Sequence, residues 1–271
     1  MPVDVGNALV TRAFPAKGCC SIETYIELHS GPSGLVLHYP TYASAVHGLG
    51  SVKELKRLRA KAAKATAGGG NGVEKSAYPV PMRNAGSYAK DVDKYVIPFI
   101  GADASVVKRT EQANGFMPSS RVYLCLPSKY RFWQFAFYGS LFKALANYEI
   151  GRNLLLSYPR LFCPIVSHNG PSADQLRETT FKVTLVGKGF ENSNSTKPDK
   201  IVRLEISGPE PGYLTCSICI VAAAKVLVRG ELDGMDGGVY TPAGLLLPSG
   251  RATSFIRLVK QRGVTFDGLD V

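Results

Sequence analysis

Two cysteines have the sequence spacing that is found in redox sites and zinc sites. Cys216 and Cys219 form a C-x-x-C pair, which can provide a thiol–disulfide couple or half of a zinc site. No second Cys or His pair lies near them at zinc spacing, and they fall inside an apolar run that ends at Val228. We interpret them as packing thiols and predict no metal site. No G-x-S-x-G or comparable nucleophile setting occurs, so no catalytic residue is assigned.

The chain carries an excess of positive charge, with 32 Lys and Arg against 21 Asp and Glu. This excess favours an anionic partner such as a membrane surface or nucleic acid. It is densest in a predicted helix at 51–66, where the candidate anion-binding residues are Lys53, Lys56, Arg57, Arg59, Lys61 and Lys64. An ordinary solvated helix face is the alternative. Nucleic acid is the weaker partner, because no aromatic residues interleave with these charges.

A dense cluster of aromatic residues occupies 123–166 and includes the single Trp. Aromatic rings at headgroup depth, flanked by Lys and Arg, are typical of segments that lie in a membrane interface. The candidate interface residues are Trp133, Phe135, Phe137, Tyr138 and Phe142. A buried helical hairpin is the alternative. No apolar run in the sequence is predicted to reach the length of a membrane-spanning helix.

The elements around these residues combine strands and helices without regular crossovers. Alternating patterns predict a strand at 21–28 that pairs with one at 35–39, and a hairpin at 181–187 and 201–206. A Gly-Pro elbow at 208–212, predicted to exclude regular structure, precedes an apolar helix at 216–228 with Thr215 as its N-cap. A last helix is predicted at 253–262. This mixture predicts an α+β fold.

We predict one domain in three successive parts. Residues 1–122 contain the basic helix and a flexible glycine loop at 67–72. Residues 123–166 form the aromatic segment. Residues 167–271 complete the same domain with the hairpin, the elbow and the C-terminal helices.

Gly- and Pro-rich blocks in the second half of the chain occur in an order and spacing that one family shares. They are FKVTLVGKG, KPDKIVRLEISGPEPGYLT, GGVYTPAG and LVKQRGVTFD. The earlier blocks that fit the same series are MPVDVG, IELHSGPSGL, TYASAVHGLGSVKELKRLR, IPFIGADASVVKRT and GRNLLLSYP. Together they resemble the C-terminal region of the saccharopine dehydrogenase-like oxidoreductases, a family that is also similar to mycobacterial trans-acting enoyl reductases. The resemblance covers practically the whole chain.

The resemblance implies a mixed, largely antiparallel sheet with helices, like the family's second domain for substrate binding and dimerisation. Family members begin with a Rossmann-type dinucleotide-binding domain, but no G-x-G-x-x-G between a strand and a helix occurs in this sequence. We therefore expect no cofactor to bind this chain, and NAD(P) only where such a domain is supplied elsewhere. Because no side chain stores a hydride, the chain alone is then expected to be inactive.

By resemblance, the elbow and a later turn supply candidate residues for a substrate pocket. These candidates are Gly208, Pro209, Glu210, Gly212, Tyr213, Thr241 and Pro242. All of them could equally serve as structural turn formers, which is the alternative interpretation.

The resemblance also suggests partners and a location. In the family the apolar helix packs beside the dinucleotide domain, so we expect helix 216–228 to be covered by another protein chain or by a second copy. Family members are associated with membranes, mitochondria and lipid droplets, which implies an intracellular, membrane-associated location. The alternative function is a non-catalytic structural subunit of a larger assembly, for example a mitochondrial one.

Overall fold

The structure, a computed structural model, describes residues 1–66, 73–99, 101–192, 197–230, 236–247 and 251–269. The chain forms two compact units from separate stretches. Unit 1 comprises Met1–His29, Val73–Pro127 and Thr179–Val271, and unit 2 comprises Ser30–Gly72 and Ser128–Glu178. The units alternate along the chain, whereas the predicted division follows chain order. The predicted glycine loop at 67–72 lies outside the described residues.

The strands of the described residues differ widely in length, and the longest belong to unit 1. They are Cys19–His29 (β1), Leu37–His38 (β2), Glu74–Lys75 (β3), Ser87–Ala89 (β4), Lys94–Pro98 (β5), Phe116–Met117 (β6), Ser119–Leu126 (β7), Val166–Ser167 (β8), Thr180–Gly189 (β9), Lys200–Pro209 (β10) and Thr265–Asp267 (β11).

The helices of the described residues include one at each predicted position. They are Pro2–Arg12 (α1), Tyr39–Gly50 (α2), Val52–Thr66 (α3), Asp103–Ala113 (α4), Lys129–Ala146 (α5), Glu149–Ser157 (α6), Pro159–Phe162 (α7), Ala173–Glu178 (α8), Cys216–Val228 (α9), Pro242–Leu246 (α10) and Arg251–Lys260 (α11), with a π-helical turn at Pro211–Thr215.

A seven-stranded sheet forms the centre of unit 1, in the order β11-β10-β9-β1-β7-β5-β4. Only the pair β1–β7 in this sheet is parallel, and the other neighbouring strands pair antiparallel. Strands β9 and β10 form the hairpin that the alternation predicted. The predicted α+β class, with a mixed and largely antiparallel sheet, is confirmed.

The two faces of the sheet bury different side chains, because successive residues of a strand point to opposite sides. On one face Ile22 of β1 joins the larger core, to which α1, α4, α9, α10 and α11 also contribute apolar side chains. On the other face Tyr25 of β1 stacks on Tyr123 of β7, with ring centroids 5.6 Å apart. The helices α1, α4, α9, α10 and α11 therefore lie on one face of the sheet.

The elbow is more regular than predicted, so the prediction that its residues exclude regular structure is wrong. Strand β10 continues through Gly208 to its last residue, Pro209. Pro211 then begins the π-helical turn that leads directly into α9. Proline suits a first helical position, since the N–H that it lacks would have no partner within the helix.

The elbow and α9 together form one apolar helical segment, Pro211–Val228, of 18 residues with a mean hydropathy of 1.7. The prediction that no apolar run reaches the length of a spanning helix is therefore wrong. Among the described residues it is the one helix that could cross a membrane by length and composition, a test that core helices of soluble proteins also pass.

Unit 2 is built around helix packing. Helix α2 packs against α5 and α6, and Tyr42 of α2 donates a hydrogen bond to the Leu155 carbonyl oxygen at 3.1 Å. The buried core contains Val46, Ala146 and Leu155. The predicted pairing of strand 35–39 with the first strand is wrong, because β2 pairs in parallel with β8 instead.

Candidate functional site

A cleft of about 480 Å³ lies between α1 and α4 in unit 1. Polar and charged side chains from both helices line it, together with the turn after α1. The lining residues are Asp4, Asn7, Ala8, Thr11, Arg12, Phe14, Pro15, Ala16, Lys17, Val107, Thr110, Glu111, Asn114, Gly115 and Phe116. Its deepest polar groups belong to a hydrogen-bonded network that ties the two helices to α10.

Asp4 is the centre of this network and is almost completely buried. Its Oδ1 accepts a hydrogen bond from the Thr110 hydroxyl at 2.6 Å, and its Oδ2 accepts one from the Ala243 N–H at 2.8 Å. The Thr110 proton is committed to Asp4, so the Thr241 hydroxyl must donate to Thr110. Burial raises the pKa of Asp4, while the bonds from Thr110 and Ala243 lower it.

Glu111 is the second buried acid of the cleft. Its pKa is raised from 4.5 to about 7, chiefly by burial and also by the nearby Asp4 charge, although the hydrogen bond from Ser120 and the charges of Arg121 and Lys108 lower it. A carboxyl group with such a pKa can take up or release a proton near neutral pH. The cleft therefore offers proton-transfer chemistry without a nucleophile.

Asn7 contributes an unpaired acceptor to the same region. Its Nδ2 donates to the Val3 carbonyl oxygen at 2.9 Å and to Thr24 Oγ1 at 3.1 Å, which fixes the orientation of the amide. Its Oδ1 is buried and has no hydrogen-bond partner. An unpaired buried amide oxygen costs roughly 1–3 kcal/mol of stability.

The opposite face of the sheet contains a buried ion pair. Arg83 donates from Nε to Glu23 Oε1 at 2.7 Å and from its terminal nitrogen to Oε2 at 3.0 Å. Asp91 lies 3.6 Å from the same guanidinium group. The Arg83 N–H also donates to the Tyr123 hydroxyl oxygen at 3.0 Å. Because every one of these groups has a protein partner, we assign the cluster a structural role.

The elbow candidates serve the backbone of the turn. The Glu210 carboxylate accepts hydrogen bonds from the N–H groups of Gly212, Tyr213 and Leu214, so Glu210 acts as the N-cap of the π-helical turn. Thr215 occupies the N-cap position of α9, as predicted, but its side chain makes no capping hydrogen bond, because its hydroxyl donates to the Pro209 carbonyl oxygen at 2.8 Å.

Glycine at position 212 leaves room for the capping carboxylate of Glu210. A Cβ there would lie 2.9 Å from Glu210 Oε1, the oxygen that caps the turn. The residues 208–213 follow one another through β10 and the turn, whereas Thr241 and Pro242 lie at the start of α10 beside the Asp4 network. None of the seven candidates lines the cleft between α1 and α4.

The aromatic candidates lie on α5 in unit 2, and most are exposed. Trp133 is 62% exposed and Phe137 68% exposed. With Tyr130 and Leu141 they follow the spacing i, i+3, i+7, i+11 and share one face of the helix. Phe135 and Tyr138 are exposed as well, whereas Phe142 packs edge-on against Tyr42 with ring centroids 5.5 Å apart. The buried hairpin therefore does not describe this helix.

The basic candidates lie on α3 in the same unit. Lys53, Lys56, Arg57, Arg59 and Lys61 are exposed, and the side chain of Lys64 lies outside the described part of the chain. Val52, Leu55 and Leu58, which recur every three residues, are exposed too. The helix therefore presents cations and an apolar stripe together, which is typical of helices that bind the membrane interface.

The two members of the cysteine pair differ in exposure, since Cys219 is buried and Cys216 is exposed. Burial raises the pKa of Cys219 to about 11, so its thiol stays protonated at neutral pH. Cys216, predicted to be buried, is exposed. Within the described residues no three His, Cys, Asp or Glu side chains are grouped to hold a metal ion.

Comparison with known proteins shows what the chain is similar to. No protein-family model matches the chain. A saccharopine dehydrogenase-like oxidoreductase of Bos taurus is 31% identical over 283 residues, a match that covers 98% of this chain and 62% of that protein. This chain is similar over nearly its whole length to saccharopine dehydrogenase-like oxidoreductases. The resemblance predicted from the sequence blocks is thus confirmed.

Two proteins with lower identity to this chain bear names with a location. A probable mitochondrial saccharopine dehydrogenase-like oxidoreductase of Arabidopsis thaliana is 26% identical over 91% of this chain and 59% of its own length. The lipid droplet localized protein of Caenorhabditis elegans is 25% identical over 90% of this chain and 59% of its own length. The chain thus spans about three fifths of the curated relatives that it matches.

The described parallel strands of unit 1 do not have the arrangement of a Rossmann-type dinucleotide site. Dinucleotide sites of Rossmann type lie at the carboxyl ends of parallel strands, where a Gly-rich turn leads into a helix N-terminus. In unit 1 the only long parallel pair is β1–β7. Strand β1 is followed by a turn that contains Gly31 and Gly34 but leads into β2 and not directly into a helix. Strand β7 is followed by α5 through the short turn Pro127–Ser128, which contains no glycine.

Sequence reasoning missed the groups that the fold brings together across long separations. Glu23 and Arg83 are 60 residues apart, and Asp4 and Ala243 are 239 apart. No spacing rule links such pairs. The sequence also contains no signal for Glu23, since half of the residues in SIETYIEL are polar.

Proposed function

We propose that this chain is the substrate-binding and interaction portion of a saccharopine dehydrogenase-like oxidoreductase and that it acts at a membrane or lipid surface. In this proposal NAD(P) is held by a dinucleotide-binding domain supplied elsewhere. The observation that carries the proposal is the similarity to these oxidoreductases over 98% of the chain, together with a sheet that is largely antiparallel. The chain alone is then an inactive part of the enzyme.

The polar cleft between α1 and α4 supports a role in substrate binding. It combines the carboxyl groups of Asp4 and Glu111 with the amide of Asn7 and the positively charged guanidinium group of Arg12. Small-molecule sites are concave and have a few placed polar groups on a partly apolar wall. The elbow candidates support this role less well, because Glu210 and Gly212 are committed to the turn itself.

The absence of a cofactor site in this chain is tested by titration with NADH and NADPH. We expect the nicotinamide fluorescence to remain unchanged when the purified chain is added at micromolar concentration, because a mostly antiparallel sheet provides no pyrophosphate cradle. A nicotinamide-dependent dehydrogenase serves as the positive control. Saturable binding with a micromolar dissociation constant would show that the chain has a cofactor site of its own and would contradict the proposal.

Unit 2 supports the association with lipid. Helix α5 exposes Trp133 and Phe137 on one face, and α3 exposes its apolar stripe among five cations. Aromatic rings and apolar side chains enter the headgroup region, while Lys and Arg attract anionic lipid. The names of the Arabidopsis and Caenorhabditis relatives agree with an intracellular location at a mitochondrial or lipid-droplet surface.

Lipid association is tested by flotation with vesicles of phosphatidylcholine and phosphatidylserine. We expect the wild-type chain to float with the vesicles, and less so at high salt, because salt screens the cations of α3. The triple variant Trp133→Ser, Phe135→Ser, Phe137→Ser is expected to bind at least about tenfold more weakly, since it loses three interfacial rings.

The matched control is the double variant Tyr88→Ser, Tyr240→Ser, which removes two exposed rings from unit 1. It should float like the wild type. If the triple variant also floats like the wild type, α5 does not contact lipid.

A second candidate function is a non-catalytic structural subunit of a larger assembly, for example a mitochondrial one. The observation that favours it is the exposed apolar surface of α9, which another protein chain or a second copy could cover. Nucleic acid is the weaker partner for the basic helix. Activity restored by adding a separately expressed dinucleotide-binding domain would exclude the non-catalytic function.

A further inference from the structure

The cleft between α1 and α4 is lined by two buried acids that have no basic side chain as a partner. Asp4 is 2% exposed and Glu111 is 8% exposed. Among the residues that the structure describes, neither carboxyl group forms a salt bridge with Lys or Arg. Buried charges in proteins are normally paired, because their desolvation is costly. The two acids therefore leave a position for a positive charge that these side chains do not supply.

Three polar side chains that line the cleft have already used their hydrogen-bond donors. The Thr11 hydroxyl donates to the Asn7 carbonyl oxygen at 2.9 Å, and the Thr110 hydroxyl donates to Asp4 at 2.6 Å. The Asn7 amide nitrogen makes two hydrogen bonds within the chain. The Asn7 side chain is buried at 3% exposure, and its Oδ1 has no partner. What these groups still offer to a ligand is therefore acceptors.

A ligand group that occupies this place must bring both donors and positive charge. A carboxylate or a phosphate would bring acceptors and would be repelled by the two acids. A metal ion fits poorly, because no three His, Cys, Asp or Glu side chains are grouped to hold one in the described part of the chain, and Ca²⁺ or Mg²⁺ takes six or more oxygen ligands. A primary ammonium group brings three N–H donors and one charge.

The remaining wall of the cleft indicates what such a group is attached to. Ala8, Phe14, Val107 and Phe116 contribute an apolar lining. The cleft volume of about 480 Å³ lies within the range of small-molecule sites, which combine a mostly apolar wall with a few polar groups. The part of the ligand beyond its ammonium group is therefore an apolar chain.

We propose that the cleft binds a primary amine with an apolar chain, and that its ammonium group lies against Asp4, Asn7 and Glu111. This inference rests on the role in substrate binding proposed for the cleft, and it names the chemical class of the substrate. The ammonium group supplies the charge that the two buried acids lack. The apolar chain lies against Phe14 and Val107.

The test is calorimetric titration of the full chain at pH 8 with three probes that share one alkyl chain. The probes are n-hexylamine, n-hexanol and n-hexanoate. We expect n-hexylamine to bind at least about tenfold more tightly than n-hexanol, because hydrogen bonds to charged groups are stronger than those between neutral groups. We expect no detectable binding of n-hexanoate, since its charge has the same sign as that of the two acids.

Two variants change the charge of the cleft in opposite directions. Glu111→Gln keeps an acceptor for the Ser120 hydroxyl and removes a negative charge, so n-hexylamine should bind about tenfold more weakly at pH 8. Arg12→Gln removes a positive charge from an exposed residue of the lining, and n-hexylamine should bind about twofold more tightly. Glu149→Gln, on the surface of unit 2, is the matched control and should bind like the wild type.

The dependence of binding on pH locates the ammonium group. The pKa of Glu111 is about 7, and the groups that influence it are Asp4, Ser120, Arg121 and Lys108. Alkylammonium groups resemble Lys, with a pKa of about 10.4, so n-hexylamine stays charged between pH 6 and pH 8. A cation favours ionised Glu111, and its affinity should therefore rise about tenfold over this range. The rise should be absent in Glu111→Gln.

The outcomes separate this inference from the proposed function. If n-hexanol or n-hexanoate binds as tightly as n-hexylamine, the cleft remains a small-molecule site and the inference is wrong. If none of the three probes binds, the inference fails together with the substrate role of the cleft. If the rise with pH persists in Glu111→Gln, the ammonium group does not lie at Glu111, and the proposed placement is wrong.

Discussion

Replacement of Arg83 by methionine is expected to lower the free energy of unfolding by about 3 kcal/mol. The guanidinium group makes two hydrogen bonds to Glu23, whose side chain is only 5% exposed at the centre of the sheet. Without Arg83 the Glu23 carboxylate would stay buried without its cation, and its desolvation would no longer be offset. Urea denaturation of the two proteins at pH 7 measures the difference.

The control for this prediction separates the lost ion pair from the lost side chain. The double variant Glu23→Gln, Arg83→Met removes both charges and is expected to recover part of the loss, because no charge is left buried. Arg203→Met is the matched substitution, since Arg203 lies in β10 of the same sheet and its side chain is 48% exposed. If Arg83→Met costs no more than Arg203→Met, the buried pair contributes no special stability.

The elements of the fold could be predicted where the sequence pattern is local. The hairpin β9–β10 follows from strict alternation in FKVTLVG and IVRLEI, and α3 from Leu55 and Leu58 at helical spacing. The pairing of β1 could not be predicted in this way. Its neighbours are β7 and β9, which lie about one hundred or more residues away in sequence, and no periodicity specifies such partners.

The elbow shows that proline and glycine do not end regular structure at every position. Proline and glycine usually end regular structure, yet Pro209 closes a strand and Pro211 begins a helical turn. Both positions tolerate the missing N–H. As a result, the apolar helical segment is five residues longer than α9 alone, and this extension gives it the length of a spanning helix.

The candidate surfaces were predictable from composition, but their exposure was not. The aromatic and basic clusters are visible in the sequence, and the structure leaves both exposed, with Phe142 as the exception in the core. The cleft was not predictable, because Asp4 and Glu111 come from helices about a hundred residues apart. Their proximity depends on the packing of α1 against α4.

Replacement of Glu111 by glutamine is expected to stabilise the protein at pH 8 by on the order of 3 kcal/mol relative to the wild type. Burial raises the pKa of Glu111 to about 7 in the folded state, from 4.5 when the residue is exposed. The folded state therefore holds this proton more tightly than the unfolded state. The resulting stability is fully present below pH 4.5 and is lost as the pH rises through 7.

Glutamine avoids this loss because it is neutral at every pH and keeps an acceptor for the Ser120 hydroxyl. The two proteins should therefore have similar free energies of unfolding at pH 4.5 and diverge as the pH rises to 8, which urea denaturation across that range measures. Glu149→Gln, at an exposed position at the start of α6, is the matched control and should show no such divergence. Parallel pH profiles for wild type and Glu111→Gln would mean that the charges of Arg121 and Lys108 already compensate for burial. Glu111 would then be ionised at neutral pH and could act only as a fixed negative charge in the cleft.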